Sequence, residues 1–366
     1  MTACDNEAHG CTLTLHTPGV YRTSSINLTS HLTLDIAPGA TLQGTETNAD
    51  NCAPPAPGHN CSANGVWPVL PWPSFPSTPA GSPGGGASAA MAALIRTYNA
   101  TDLAITGGGT IDGGGPWWWC TRFKSALLPG GASNKANAKA LAGIKAIYGC
   151  ADRVAAGTVP QLHYVPPRFF HFVESTELTI QNITIQNSPY WTVHFQFSSN
   201  ILFEGNTIFN PNNATFETPN GDGVDIDSSR SVLVRNNIVD VGDDALCVKS
   251  GADWLGRRSG GCNAEGVCVG RPTANVLWLD NEVRNGHGLT LGSDAAGGVY
   301  NVTYRNIFLN GMGGPQAPGR RGGGVGGPHF KTQRGRGGLW ENVTWDNIYG
   351  THATAAVSFG ENHAPA

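Results

Sequence analysis

Residues 178–185 read LTIQNITI, and the figure returns as LFEGNTI at 202–208, LVRNNIV at 233–239, LWLDNEV at 277–283 and VTYRNIF at 302–308, with a partial copy, WDNIY, at 345–349. Each copy is a short apolar strand that runs into an asparagine and out into another strand. The asparagines Asn182, Asn206, Asn237, Asn281, Asn306 and Asn347 stand 24, 31, 44, 25 and 41 residues apart. That is a unit of about 22–25 residues with two double steps and one insertion. A unit this short cannot bury its apolar side alone, so successive units must stack as coils. The pattern predicts an all-β chain folded as a right-handed parallel β-helix, a single domain over 1–366, with asparagine side chains hydrogen-bonded from coil to coil.

Working outward, LTLDI at 32–36 and LAITGGGTID at 103–112 read as further coils. The Pro-, Gly- and Ser-rich run over 50–88 is a loop excursion. An insertion over 120–160, rich in Ala, Lys and Leu between Ser125 and Ala156, is expected to carry a short helix.

Charged residues make up 13% of the chain and glycine numbers 50, which suits short strands and tight turns better than long solvated helices. The chain contains no apolar run of the about 18 residues that a membrane-spanning helix needs. Of nine cysteines, Cys4/Cys11, Cys52/Cys61 and Cys262/Cys268 are close pairs in Gly-, Asn- or Pro-rich loops, and Cys120 with Cys150 makes a fourth candidate disulfide. Cys247, in an apolar stretch, reads as a buried core residue. Seven Asn-x-Ser/Thr sequons, at Asn27, Asn60, Asn99, Asn182, Asn213, Asn301 and Asn342, and the cysteine pairs point to a secreted protein, although residues 1–7 lack the basic and apolar regions of a signal peptide. No Cys/His grouping has zinc-ligand spacing, so neither metal nor other cofactor is expected.

Asp243 follows Asn237 by six residues and His287 follows Asn281 by six, so both are expected at one place in their coils, on one wall of the solenoid. Asp222, 21 residues before Asp243, falls on the same wall one coil earlier. The segments NGDGVD at 220–225, GDD at 242–244, GHG at 286–288 and HFK at 329–331 follow in that order. They resemble the four motifs of glycoside hydrolase family 28, the polygalacturonases, and the resemblance continues through NSP at 187–189, KSG at 249–251 and GRGG at 335–338, covering residues 96–350.

The resemblance implies hydrolysis of α-1,4-galacturonosidic bonds in pectin with inversion, in which an acid protonates the leaving oxygen and a base drives water onto the opposite face of the sugar. By position, Asp243 matches the general acid, and Asp222 with Asp244 matches the pair that holds and deprotonates the water. Mutual repulsion among the three is expected to keep Asp243 protonated. His287 matches the histidine that orients or charge-tunes the acid. Lys331 matches the lysine that pairs with the substrate carboxylate, and Asn220 and His329 complete the substrate-binding set. The family pattern has Arg where this chain has His329. Loss of a guanidinium fork implies weaker binding or a more acidic optimum, with Arg334 and Arg336 as candidates to compensate.

Other readings of these residues stand beside the chemical one. Asp222 and Asp225 fit turn capping, Asp225 and Asp227 fit calcium ligation without its full Asp-rich loop, and His287 fits a turn between glycines. Trp117, Trp118 and Trp119 fit either a capped core or a platform for sugar rings.

Residues 249–336 hold eleven Lys/Arg against five Asp/Glu in a chain of net charge −4, which suits an acidic polysaccharide. No recognition motif for nucleic acid accompanies that excess, and a monomer is expected. The insertion 252–271 is read as closing one end of the cleft, which favours exo action. The alternatives are another pectin hydrolase acting on rhamnogalacturonan or xylogalacturonan, a calcium-dependent pectate lyase, and a carbohydrate-binding solenoid without turnover. The last draws on His329 and on the chain's ends, where the family's opening coil and its closing strands with a site tyrosine are expected to be missing.

Overall fold

Alternation decides the local structure: in FHFV at 170–173 the residues at 170 and 172 are buried on one side, and the pattern repeats in neighbouring segments. The computed structural model describes residues 10–45, 69–71, 89–122, 150, 152, 166–212, 218–311, 325–332, 336–351 and 356–360. Among them every strand pairing but one is parallel, the exception being the small hairpin of Val69–Pro71 with Ala89–Met91. Each coil contributes three strands, for example Val193–Gln196, Ser199–Glu204 and Thr207–Phe209, before the chain climbs to Val224–Asp227. A nine-stranded sheet runs from Ile26–Asn27 to Ser358–Gly360. The other two faces join through the long strands Val299–Asn310 and Trp340–Thr351, which pass from one face to the other. The fold is a right-handed parallel β-helix, the hand that parallel crossovers take.

Identical register stacks like on like inside. Phe172 lies on Phe195 at 5.0 Å, Trp278 on Tyr304 at 5.5 Å, and Tyr304 on Trp345 at 5.8 Å. Each fully buried aromatic or aliphatic side chain in this column contributes about 1.5–3 kcal/mol by leaving water.

The repeat asparagines divide into two ladders one residue apart. Asn206, Asn237 and Asn281 are buried. The Asn237 Oδ1 accepts from the Asn206 N–H at 2.8 Å, the Asn281 Oδ1 accepts from the Asn237 N–H at 3.1 Å, and the Asn206 Oδ1 accepts from Ile183 N–H at 3.2 Å. Asn182, Asn306 and Asn347 instead occupy the preceding position, level with Gly205, Asn236 and Asp280, as the register Thr184↔Thr207↔Ile238↔Glu282↔Phe308↔Tyr349 requires. There the backbone turns left-handed, with φ of 54–57° at Asn182, Asn236, Asp280, Asn306 and Asn347, a conformation that Asn and Asp tolerate best among residues with a Cβ. The single continuous ladder expected from spacing is corrected accordingly.

A coil also precedes the first one read from sequence. Cys11–Leu15, Gly19–Thr23 and Ile26–Asn27 pair with Leu32–Ile36, Ala40–Gly44 and Ile95–Tyr98. Sequence reading passes over it because CTLTL and GVYRT carry no corner asparagine. Cys120–Cys150 and Cys262–Cys268 are disulfides and Cys247 is a buried free thiol. Cys4, Cys52 and Cys61, and nearly all of the segments 50–88 and 125–156, lie outside the described residues. The described helix Gly115–Arg122 carries Trp117, Trp118 and Trp119, all buried, with Trp119 Nε1 donating to the Ser188 carbonyl at 3.0 Å. These rings cap the core and offer no face to a sugar.

Candidate active site

The nine-stranded sheet positions the site. Its strands Val224–Asp227, Leu246–Lys249 and Leu289–Leu291 pair in the register Val224↔Leu246↔Leu289. Asp222, Asp244 and His287 each stand two residues before the first of these partners, so they form one outward ladder with coils about 4.8 Å apart. The same register, Phe170↔Val193↔Val224, puts Trp191 and Arg168 on the two rungs below Asp222. Counting from the asparagines puts Asp243 level with His287, and the structure corrects this by one residue. The connection from Asn281 to Leu289 is one residue shorter than that from Asn237 to Leu246, which brings His287 level with Asp244 and leaves Asp243 one place earlier. The glycines around His287 permit this: a Cβ on Gly288, at φ 92°, would run into the Gly326 carbonyl.

The side chains converge. His287 Nδ1 lies 2.9 Å from Asp243 Oδ1 and 3.3 Å from Asp244 Oδ1. Lys331 Nζ donates to both oxygens of Asp244, at 2.7 and 2.8 Å, and is 3.9 Å from Asp243. Asn220 Nδ2 donates to Asp243 Oδ2 at 3.4 Å. Asp222 is buried one coil below, 3.5 Å from Lys249 Nζ. Asp243 is the open member: its side chain is 19% exposed against 3% for Asp222 and 2% for Asp244. Hence Asp222, Asp243, Asp244, His287, Asn220 and Lys331 are brought together. His329 shares the strand Pro328–Lys331 and, two residues from Lys331, faces the same side, partly exposed beside Thr290 and Ser358.

The electrostatics differ from the sequence reading. Burial alone would raise Asp243, but the charge and hydrogen bond of His287 outweigh it and hold Asp243 below its ordinary range. Burial is likewise overcome at Asp244, which Lys331 and His287 hold well down. The group pushed well up is Asp222, first by burial, then by the charges of Asp243 and Asp225. His287, despite burial, is raised by Asp243 and Asp244 to about 10, so it is a cation at neutral pH. The expectation that repulsion keeps Asp243 protonated is therefore corrected: the charge and hydrogen bond of His287, 2.9 Å away, with Lys331 at 3.9 Å, outweigh burial and the charge of Asp244.

Sequence reasoning quoted Lys249 in KSG but gave it no role, and passed over Trp191; the Lys249 Nζ sits among Asp222, Asp225 and Asp244, and the Trp191 ring covers it at 4.5 Å. The signal was a lysine ending LCVK, an otherwise apolar buried strand. Arg336 does not stand in for an arginine at position 329. It binds Asp253 at 3.3 Å and Asp294 at 3.1 Å, tying down the 252–271 insertion. Arg334 lies outside the described residues. Asp243, Asp244 and His287 offer ligand atoms within 4.8 Å of one another, yet Lys331 occupies both Asp244 oxygens and His287 is itself charged, a poor setting for a cation. Asp227 accepts from His194, Gln196, Ser228 and the Gly251 N–H, a structural set of partners.

Comparisons with known proteins agree with this geometry. The family model "Glycosyl hydrolases family 28" matches residues 149–314, a span that contains Asn220, Asp222, Asp243, Asp244 and His287. A "Probable polygalacturonase" of Vitis vinifera is 29% identical over 293 residues, covering 79% of this chain and 45% of that protein. An "Endo-polygalacturonase" of Pectobacterium carotovorum subsp. carotovorum is 24% identical over 265 residues, covering 70% and 50%. The chain thus spans about half the length of the curated relatives it matches. The solved polygalacturonase of Erwinia carotovora ssp. carotovora superposes with a TM-score of 0.62 at 21% identity, covering 99% of this chain and 77% of that one, a likeness of fold. The family-model match over residues 149–314 and the curated homologues, on a parallel β-helix that gathers the motif residues into one site, make this chain similar to the polygalacturonases of glycosyl hydrolases family 28.

Proposed function

We propose that the chain hydrolyses α-1,4-galacturonosidic bonds of polygalacturonan, the acidic backbone of pectin, by an inverting mechanism. The observation that carries this reading is the convergence of Asp222, Asp243 and Asp244 with His287 and Lys331 on adjacent coils. Asp243, the open carboxyl, meets the leaving oxygen and delivers the proton. Asp222 and Asp244 sit deeper and take the side of the attacking water. Without substrate the His287–Asp243 pair carries one proton, on His287, 2.9 Å from the Asp243 oxygen. A galacturonate carboxylate drawn to Lys331 competes with Asp244 for that ammonium. This weakens the cationic hold on Asp243 and Asp244 and favours transfer of the His287 proton to Asp243. The same ammonium selects a uronic acid over a neutral sugar.

A calcium-dependent lyase would need carboxylates open to a metal, and here Lys249 and Lys331 already occupy them. Exo action is supported by the 252–271 insertion, with its helix Asp253–Arg258 and disulfide Cys262–Cys268, held through Arg336 to Asp253 and through Arg271 to Glu174. Two disulfides suit a protein that works outside the reducing cytoplasm. The test is release of reducing ends from polygalacturonic acid with a chelator present. The wild type should be active and Asp243→Asn slower by about 10²–10⁴-fold, the scale of a lost general acid. An unsaturated product, or loss of activity to the chelator, would refute hydrolysis.

A further inference from the structure

Lys249 ends the strand Leu246–Lys249 on the outward side, yet it is only 4% exposed. Its Nζ lies 3.2 Å from Asp225 Oδ1, 3.5 Å from Asp222 Oδ2 and 3.8 Å from Asp244 Oδ2, with the Trp191 ring centroid 4.5 Å away on another side. A lysine needed only to neutralise a buried aspartate would require one partner. This one is shared by three carboxylates, two of which belong to the water side of the proposed reaction. We propose that Lys249 is a positioning residue of the active site: clamped beneath Trp191, its ammonium fixes the place and the charge of the Asp222 carboxylate. The proposal rests on the hydrolase reading above.

The charges on every element around it support that role. From its own strand and the turn before it come Cys247, Asp244 and Asp243. The coil below presents Asp222, Asp225 and Asp227, and the next coil down His194 and Trp191, with Arg168 over the far rung of that ring at 4.7 Å. Lys331 and His287 enter from the coils above. Lys331 and His287 serve Asp243 and Asp244, and Arg168 acts on Asp222 from farther off, which leaves Lys249 as the cation at ion-pair distance from Asp222 among the described residues. Asp225 is fully buried and faces the Lys249 ammonium and the Cys247 thiol. Lys249 stands at ion-pair distance from it, and burial still pushes Asp225 up to about 6. One ammonium shared in this way leaves Asp222 under-compensated, so that it can take up a proton during turnover.

Removing Lys249 alone would orphan Asp225, so the test uses an Asp225→Asn background, in the full chain. Asp225→Asn is compared with Lys249→Met/Asp225→Asn for melting temperature, for kcat and KM on polygalacturonic acid across pH, and for the titration of the Asp222 carboxyl carbon by 13C NMR, assigned with Asp222→Asn. The double variant should melt close to its background, with KM within about twofold and kcat lower by about tenfold or more, on the scale of an acid–base contribution. Loss of the cation raises the proton affinity of Asp222, so its titration and the acidic limb of the rate profile should both move to higher pH. Lys249→Arg, which keeps the charge, should leave that titration near the wild-type position. A folded double variant with unmoved Asp222 titration would overturn the proposal, as would a shift in Lys249→Arg as large as in the double variant. An inactive wild type would sink the hydrolase reading, while the carboxyl titration would still decide the role of Lys249.

Discussion

Lys331 grips Asp244 with hydrogen bonds of 2.7 and 2.8 Å to its two oxygens, across 87 residues of sequence, and both side chains are nearly closed to water. A buried pair of this kind costs far more to break from one side than it contributes as a whole. Lys331→Met should therefore destabilise the fold by about 3–5 kcal/mol. Lys331→Met/Asp244→Asn, with no charge left unpaired, should recover most of that loss in urea unfolding without recovering activity. Equal stability of the single and double variants would show that solvent reaches Asp244 once the lysine is gone.

The raised His287 sets the alkaline side of stability. Its unfolded value is about 6.5, and in the fold it is about 10. A raised group contributes stability that is complete below its unfolded value and is lost as pH climbs to its folded one. The wild type should lose melting temperature between about 6.5 and about 10, where His287→Gln should show a flatter profile. Asp244, held low, acts at the other end: its contribution is present above the ordinary carboxylate range and is lost only in strong acid. Parallel alkaline limbs for the two proteins would mean that His287 is neutral in the fold.

The β-helix was legible because apolar residues and turn asparagines repeat at coil length, and burial against neighbouring coils leaves such units little choice. Register was less legible. Asn206 and Asn306 look alike in their repeats, but relative to the level residues Ile201 and Val302 the second stands one place earlier, which sends one inside and the other to a half-buried left-handed corner. The site followed the same division. Asp222, Asp243, Asp244 and His287 sit in glycine-flanked turns whose positions survive small errors of register. The charge state of Asp243 could not be read, because it depends first on His287, one coil away, and then on Lys331, two coils away. The role of Lys249 could not be read because its partners, Asp222 and Asp225, belong to a different coil.

His329 and Lys331 face the same side of Pro328–Lys331, with His329 nearer to solvent. Arg at 329 would present a permanent, forked cation beside the Lys331 ammonium, where a uronate carboxylate can meet both. His329→Arg should lower KM for polygalacturonic acid by about tenfold, the value of one charged hydrogen bond of roughly 1.5 kcal/mol. An unchanged KM at every pH would place position 329 outside the substrate's reach.

Asn237 stands in the middle of the buried ladder. Its Oδ1 accepts from the Asn206 N–H at 2.8 Å, and its Nδ2 donates to the Phe203 carbonyl at 3.1 Å and to Asn281 Oδ1 at 2.9 Å. Asn237→Ala leaves a buried donor and a buried acceptor without partners, each costing about 1–3 kcal/mol. A loss of about 2–5 kcal/mol in urea unfolding is expected. Asn306→Gly, on the exposed ladder, removes bonds to Asp280 and Asn347 that water can replace, and glycine accepts its φ of 54° without strain. That variant should stay within about 1 kcal/mol of wild type. Two similar losses would mean that the exposed and buried ladders stabilise the solenoid alike, and that water does not substitute for the outer one.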